Sequence, residues 1–208
     1  MIKGAFSVDE IELRDILLTV LALSVALAIA TNGLGVLFVP NKLILLMVVF
    51  SVAVGMGFVL HEMGHKLVAI AYGAKARFVM WPQGLLLMFV TSLFGFIFAA
   101  PGAVYIMAKN ITKEENGIIS LAGPLMNVFL ALIFAFFYAF SPYTFFPINP
   151  WLLGAYINAL LALFNCLPIG PLDGGKIMAW NFIVWLGLVI VSGFLFLDFG
   201  SQLALDLI

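Results

Sequence analysis

This chain contains only two histidines, and they stand four residues apart with a glutamate beside the first: His61-Glu62-Met63-Gly64-His65. In a helix, residues at i and i+4 share a face, so both imidazoles can close on a single metal ion. Glu62 is turned about 100° from His61, so it can reach a water on that ion as a general base without binding the ion itself. Without a metal, the same residues would be two core histidines and a buried glutamate. A carboxylate at the centre of a membrane helix costs roughly 2.5–3.5 kcal/mol. A divalent cation removes that objection.

A zinc hydrolase takes three protein ligands and leaves a fourth position open. The one cysteine, Cys166, lies in an apolar run and reads as a small packing residue. The third ligand must therefore be a carboxylate. Asp9, Glu10, Glu12 and Asp15 precede the first apolar run, Glu114 and Glu115 stand beside Lys113 in what reads as a solvated face, and Asp198 and Asp206 lie near the C-terminus. Asp173 differs. It follows Pro168, Gly170 and Pro171 and precedes Gly174 and Gly175, an unwound stretch that could turn a side chain inward. An ordinary Asp-Gly turn explains the same residues equally well when they are taken alone.

The elements that position these groups must sit in a membrane. Of 208 residues, 65% are hydrophobic and 9% charged, and the mean hydropathy is +1.23; soluble domains run about 45–50% apolar and about 25% charged. A net charge of -1 leaves no basic patch for phosphate, which argues against nucleic acid as a partner. Apolar runs place spans at about 14–31, 43–72, 117–140, 151–167 and 177–197, with turns at 32–42 and 141–150. The residues after the fifth are too few to cross again. Acids around the first run argue that it is a retained span and not a signal peptide.

Phe78 to Ala108 carries no charge yet holds Pro82, Gly84, Gly95, Pro101 and Gly102. Its Phe, Val and Thr content suits strands, and irregular backbone survives at membrane depth only when shielded. The expectation is a re-entrant, partly β-structured segment making no net crossing. Lys3, Arg14, Lys66, Lys75, Arg77, Lys109, Lys113 and Lys176 then share one side, the cytoplasmic side by the positive-inside rule, with Lys42 opposite. The same topology brings Asp173 out on the side of His65; a single crossing there would put them on opposite faces.

With these residues in view, the chain resembles the site-2 protease family of intramembrane metalloproteases. The resemblance rests on His61–His65, on Asn165–Gly175 as an Asn-x-x-Pro-x-x-Pro-x-Asp-Gly pattern, and on Gly123-Pro124-Leu125-Met126-Asn127 as a Gly-Pro-x-x-Asn segment. It covers about 43–185. It implies one zinc ion held by His61, His65 and Asp173, water activated by Glu62, and Asn165 stabilising the developing oxyanion. Helix–helix hydrogen bonding is the alternative for Asn165, and Asn127 reads as a helix tie at a close approach. The interval between Asn127 and Asn165 is apolar, so no PDZ domain is expected there.

The fold class expected is an all-α polytopic membrane protein of about five to six transmembrane helices with the small re-entrant segment. It would form one membrane-embedded domain over 1–208, with its catalytic core at about 43–185 and no soluble domain. The function expected is regulated intramembrane proteolysis of transmembrane protein substrates in the bilayer of the cell membrane, with the active site nearer the cytoplasm. Two rivals remain: another membrane HExxH protease taking a Glu ligand, and a zinc transporter, which would distribute ligands across several spans.

Overall fold

The computed structural model describes residues 6–97, 101–141 and 149–206. Lys3 and most of the expected turn at 141–150 lie outside them.

Helix α1, Glu10–Asn32, starts where the Asp9 side chain accepts the Glu12 N–H, and it stops at Gly33, whose φ of 74° a side chain would resist. After a single 3₁₀ turn, helices α2 (Pro40–Phe50) and α3 (Met56–Ala71) run on through a π turn at Ser51–Gly55. Together they make one apolar stretch of 32 residues. Strand β1 (Lys75–Met80), helix α4 (Pro82–Ser92) and strand β2 (Gly102–Met107) follow, and then α5 (Lys113–Phe140), α6 (Pro150–Asn165), α7 (Asp173–Trp180) and α8 (Phe182–Asp206).

Among the described residues, four stretches are long and apolar enough to cross a membrane: Glu10–Asn32, Pro40–Ala71, Lys113–Phe140 and Phe182–Leu205. Helix α6, at 16 residues, falls short of the ~20 that a perpendicular crossing takes. The fifth expected span also differs. A helix through 177–197 is interrupted at Asn181, whose extended backbone ends α7 and whose side chain accepts the N–H groups of Ile183 and Val184 to start α8.

The segment between α3 and α5 is partly β-structured, but its middle is helical. β1 and β2 pair antiparallel from Lys75↔Met107 to Met80↔Gly102, so the chain leaves and returns at one end. Pro82, which reads as a breaker, stands at the first helical position of α4, where its missing N–H costs nothing. The 11 residues of α4 are too few to cross at ~1.5 Å per residue. Gly102 is obligatory, because a Cβ there would meet Val79 O at 2.9 Å.

Helix α5 is the central element, packing on α3, α6 and α7. A capping box joins Thr112 and Glu115 at its start, so it begins earlier than apolarity alone suggests. One apolar cluster gathers α1, α2 and α4 around Leu23, Phe50 and Met88, and a second gathers α5, α6 and α8 around Leu130, Phe134 and Leu152. The polar centre lies between them, on α3, α5 and α7.

Lys66 does not behave as a loop charge for orientation. It is buried, with Nζ 2.6 Å from both oxygens of Glu12 and 2.6 Å from Ser7 O. That pair ties the start of α1 to the helix carrying the histidines.

Candidate metal centre

His61 and His65 face inward from α3, and α5 crosses them at Gly123. A Cβ on Gly123 would fall 2.5 Å from His65 Cε1 and 2.6 Å from His61 Nε2; only glycine leaves the space between the rings open. Asp173 is brought in by α7, whose first residue it is. The glycine after it is equally constrained, since a Cβ on Gly174 would overlap the Cys166 carbonyl at the end of α6. The helix N-terminus suits a carboxylate there.

The three side chains converge although they are far apart in sequence. His61 Nε2 and His65 Nε2 are 3.1 Å apart, and Asp173 Oδ2 lies 3.3 Å from the first and 3.1 Å from the second. All three residues are buried. A tetrahedral zinc ion with ligands at about 2.0–2.1 Å sets neighbouring donors about 3.3 Å apart, so the triangle has the dimensions of such a site.

The protons on the rings sharpen the test. Asn158 turns its NH₂ to two backbone carbonyls, Ala53 O at 3.0 Å and Gly154 O at 2.9 Å, which can only accept. Its oxygen therefore faces Asn127, whose NH₂ donates to Asn158 Oδ1 and to Gly57 O, both at 3.1 Å. The Asn127 oxygen is left to accept from His61 Nδ1 at 2.6 Å. His65 Nδ1 donates to Ile119 O at 2.8 Å. Both rings thus carry a proton on Nδ1 and turn Nε2 toward Asp173 Oδ2. Two neutral imidazoles oriented this way and a carboxylate oxygen form the donor set that a divalent cation takes. The residues fit zinc.

Glu62 is buried beside this triangle, and its Oε2 accepts the Val104 N–H of β2 at 2.7 Å. Asn165 is not in the cluster; its NH₂ donates to Leu161 O at 2.9 Å, one turn back in its own helix. Asn127 ties α5 to α3 and α6, as its position after Gly123-Pro124 suggests, and also orients His61. Asn158 escaped the sequence reading. The signal available was an amide inside an otherwise apolar helix, which in a membrane must find partners. Among the described residues, His61, His65 and Asp173 form the one group of acidic, histidine or cysteine side chains placed to share an ion. Glu114 is exposed and Glu115 is spent on its capping box.

The chain is similar to known proteins over much of its length. Residues 49–146 match the model of peptidase family M50. A Methanocaldococcus jannaschii protein named "Putative zinc metalloprotease MJ0611" is 45% identical over 166 residues, covering 77% of this chain and 85% of that one. A second protein of that organism, "Zinc metalloprotease MJ0392", is 33% identical over 125 residues, covering 58% of this chain and 30% of its own length. No solved structure matches the chain. An HExxH helix, an inward aspartate and a relative alike over most of its length lead to one assignment: the chain belongs to peptidase family M50, the site-2 protease family of zinc metalloproteases.

Proposed function

We propose that the protein hydrolyses peptide bonds of membrane-protein substrates within or beside their transmembrane segments. The observation that carries this reading is the convergence of two imidazole Nε2 atoms and a carboxylate, with a second acid, Glu62, next to them, among helices apolar enough for a bilayer. His61, His65 and Asp173 would hold one zinc ion. When bound, zinc supplies a Lewis acid that polarises a carbonyl and lowers the pKa of a water to about 7.

The chain's own groups do the rest. Glu62 takes a proton from the attacking water and returns it to the leaving amine. Asn165, at the mouth of the loop that delivers Asp173, donates its amide to the substrate oxyanion after giving up Leu161 O. A helical substrate hides its carbonyls, so it must unwind before it can be cut. The outer edge of β2 suits an extended segment, because the other edge of the sheet is already taken: Phe78 N–H donates to Glu12 at 2.9 Å and Met80 N–H to Asp15 at 3.4 Å. Gly84 and Gly95 precede β2 in sequence, in α4 and in the turn after it, so replacing either with proline would test α4 and not the strands. The cluster of lysines and arginines around this end supports a cytoplasmic-facing active site in the cell membrane.

The test is zinc content and cleavage of a transmembrane peptide measured together. Wild type should bind one zinc per chain; His65→Ala and Asp173→Ala should lose both zinc and activity, and Glu62→Ala should keep zinc and lose activity. Retained zinc in Asp173→Ala with loss in Glu114→Ala would overturn the ligand set. Zinc flux into proteoliposomes by Glu62→Ala would replace the protease with a transporter.

A further inference from the structure

The two-stranded sheet hangs between two buried glutamates at one row of its ladder. Phe78 and Val104 are cross-strand partners. The Phe78 N–H points out of β1 to Glu12, and the Val104 N–H points out of β2 to Glu62. Glu12 is a fixed partner, neutralised by Lys66 and sealed from solvent. Among the described residues, Glu62 has no such cation; its hydrogen bond goes to a backbone donor on the one edge that a substrate strand can reach. A carboxylate accepting a backbone N–H makes a short, charge-assisted bond, and here that bond occupies a ladder position any added strand must use.

We propose that the Val104 amide is a substrate-sensing latch on Glu62: it holds the carboxylate in the resting protein and releases it when a carbonyl of an unwound substrate takes the same N–H. The inference rests on the reading of Glu62 as the general base and of β2 as the receiving edge. It makes selectivity a matter of backbone state. A transmembrane segment that remains helical has no free carbonyl to offer, leaves the latch closed, and is spared. An unwound segment completes the ladder, and the base is freed in the same step. No bond beyond hydrogen bonds is made or broken.

The experiment follows the Val104 amide itself. Zinc-loaded protein in nanodiscs, labelled with ¹⁵N-valine and assigned by loss of the signal in Val104→Ile, is read by hydrogen exchange. In wild type the Val104 amide should exchange at least about tenfold more slowly than in Glu62→Ala, the protection expected of a bond to a charged acceptor. Adding a Leu/Ala transmembrane peptide with a central Asn-Gly pair to Glu62→Ala should restore protection, while an all-Leu/Ala peptide should not. Equal exchange in wild type and Glu62→Ala would remove the latch, and failure of the Asn-Gly peptide to protect would remove the handover. Because the exchange needs no turnover, the two readings part cleanly: cleavage by Glu62→Ala would defeat the general base while leaving the exchange result standing.

A second variant guards against misfolding. Val104→Pro deletes the N–H at a strand edge, where no ladder bond is lost and proline is tolerated. It should reduce the preference for cleaving the Asn-Gly peptide over the all-Leu/Ala one below that of wild type, the remainder reflecting only the need to unwind. A preference equal to that of wild type would overturn the proposal.

Discussion

Lys66 Nζ lies 2.6 Å from each oxygen of Glu12, a residue 54 positions earlier, and both side chains are buried. Since Lys66 directly follows His65, this pair seats the metal-binding turn of α3 against α1. Lys66→Met strands a buried carboxylate and should cost about 3–5 kcal/mol. Glu12→Gln/Lys66→Met should recover most of the loss, because glutamine still accepts the Phe78 N–H without a charge. Equilibrium unfolding in mixed micelles measures both; a double variant as unstable as the single one would mean that the pair does not act as a pair.

Gly123 should be intolerant of a methyl group for a chemical reason and not for helix propensity. Gly123→Ala crowds His61 Nε2 and His65 Cε1, and an overpacking cost of roughly 1–3 kcal/mol should appear as a loss of zinc affinity of about 5- to 150-fold. Gly175→Ala is the control: the nearest atom to its Cβ would be 3.8 Å away, and zinc binding should be unchanged. Competition against a chromogenic chelator reads both.

The amide relay predicts graded effects on the metal. Asn127→Leu removes the acceptor of the His61 proton and should weaken zinc binding by about 10–100-fold. Asn158→Leu leaves that acceptor in place but takes away one of the two acceptors of the Asn127 NH₂, so its loss should be smaller. The same competition assay checks the order; Asn158→Leu weaker than Asn127→Leu would break the relay as described.

Removing the ion should destabilise the protein as well as silence it. Two Nε2 atoms and an Asp173 oxygen lie 3.1–3.3 Å from one another, close enough to share one cation. Zinc at a hundredfold excess over its dissociation constant would contribute about 2.7 kcal/mol, visible as a fall in Tm on chelation. Asp173→Ala should show little response to the same chelator.

How much of this is legible in the sequence follows from what each residue needs. His61 and His65 declare themselves because both ligands lie on one turn of one helix. Asp173 is legible through its breakers, and Gly174 explains why a glycine directly follows it: the glycine lets α7 begin against the end of α6. The partners of Asn158, Glu12 and Lys66 are not legible, because each is a long-range contact and nothing local distinguishes a buried ion pair from charges flanking a span. Asn181 is an intermediate case. Its capping role is a local signal, but the apolar run on either side conceals it and makes one helix out of two. The heart of the loop between the strands misleads in the same way: Pro82 reads as an interruption, whereas at a first helical position it is a start.

The π turn at Ser51–Gly55 carries a last consequence. It winds wider than the rest of its helix, and Ala53 within it gives its carbonyl to Asn158. A π turn holds one residue more than an α turn. Shortening the chain there by one residue would let the helix rewind with both imidazoles still facing inward, but without the widened turn that offers the Ala53 carbonyl to Asn158. The same deletion within α3 would swing them through about 100°. Exchanging the outward-facing Val52 for another apolar residue would pass unnoticed. The acceptor for Asn158 is thus set by how many residues the turn holds and not by which side chains they carry.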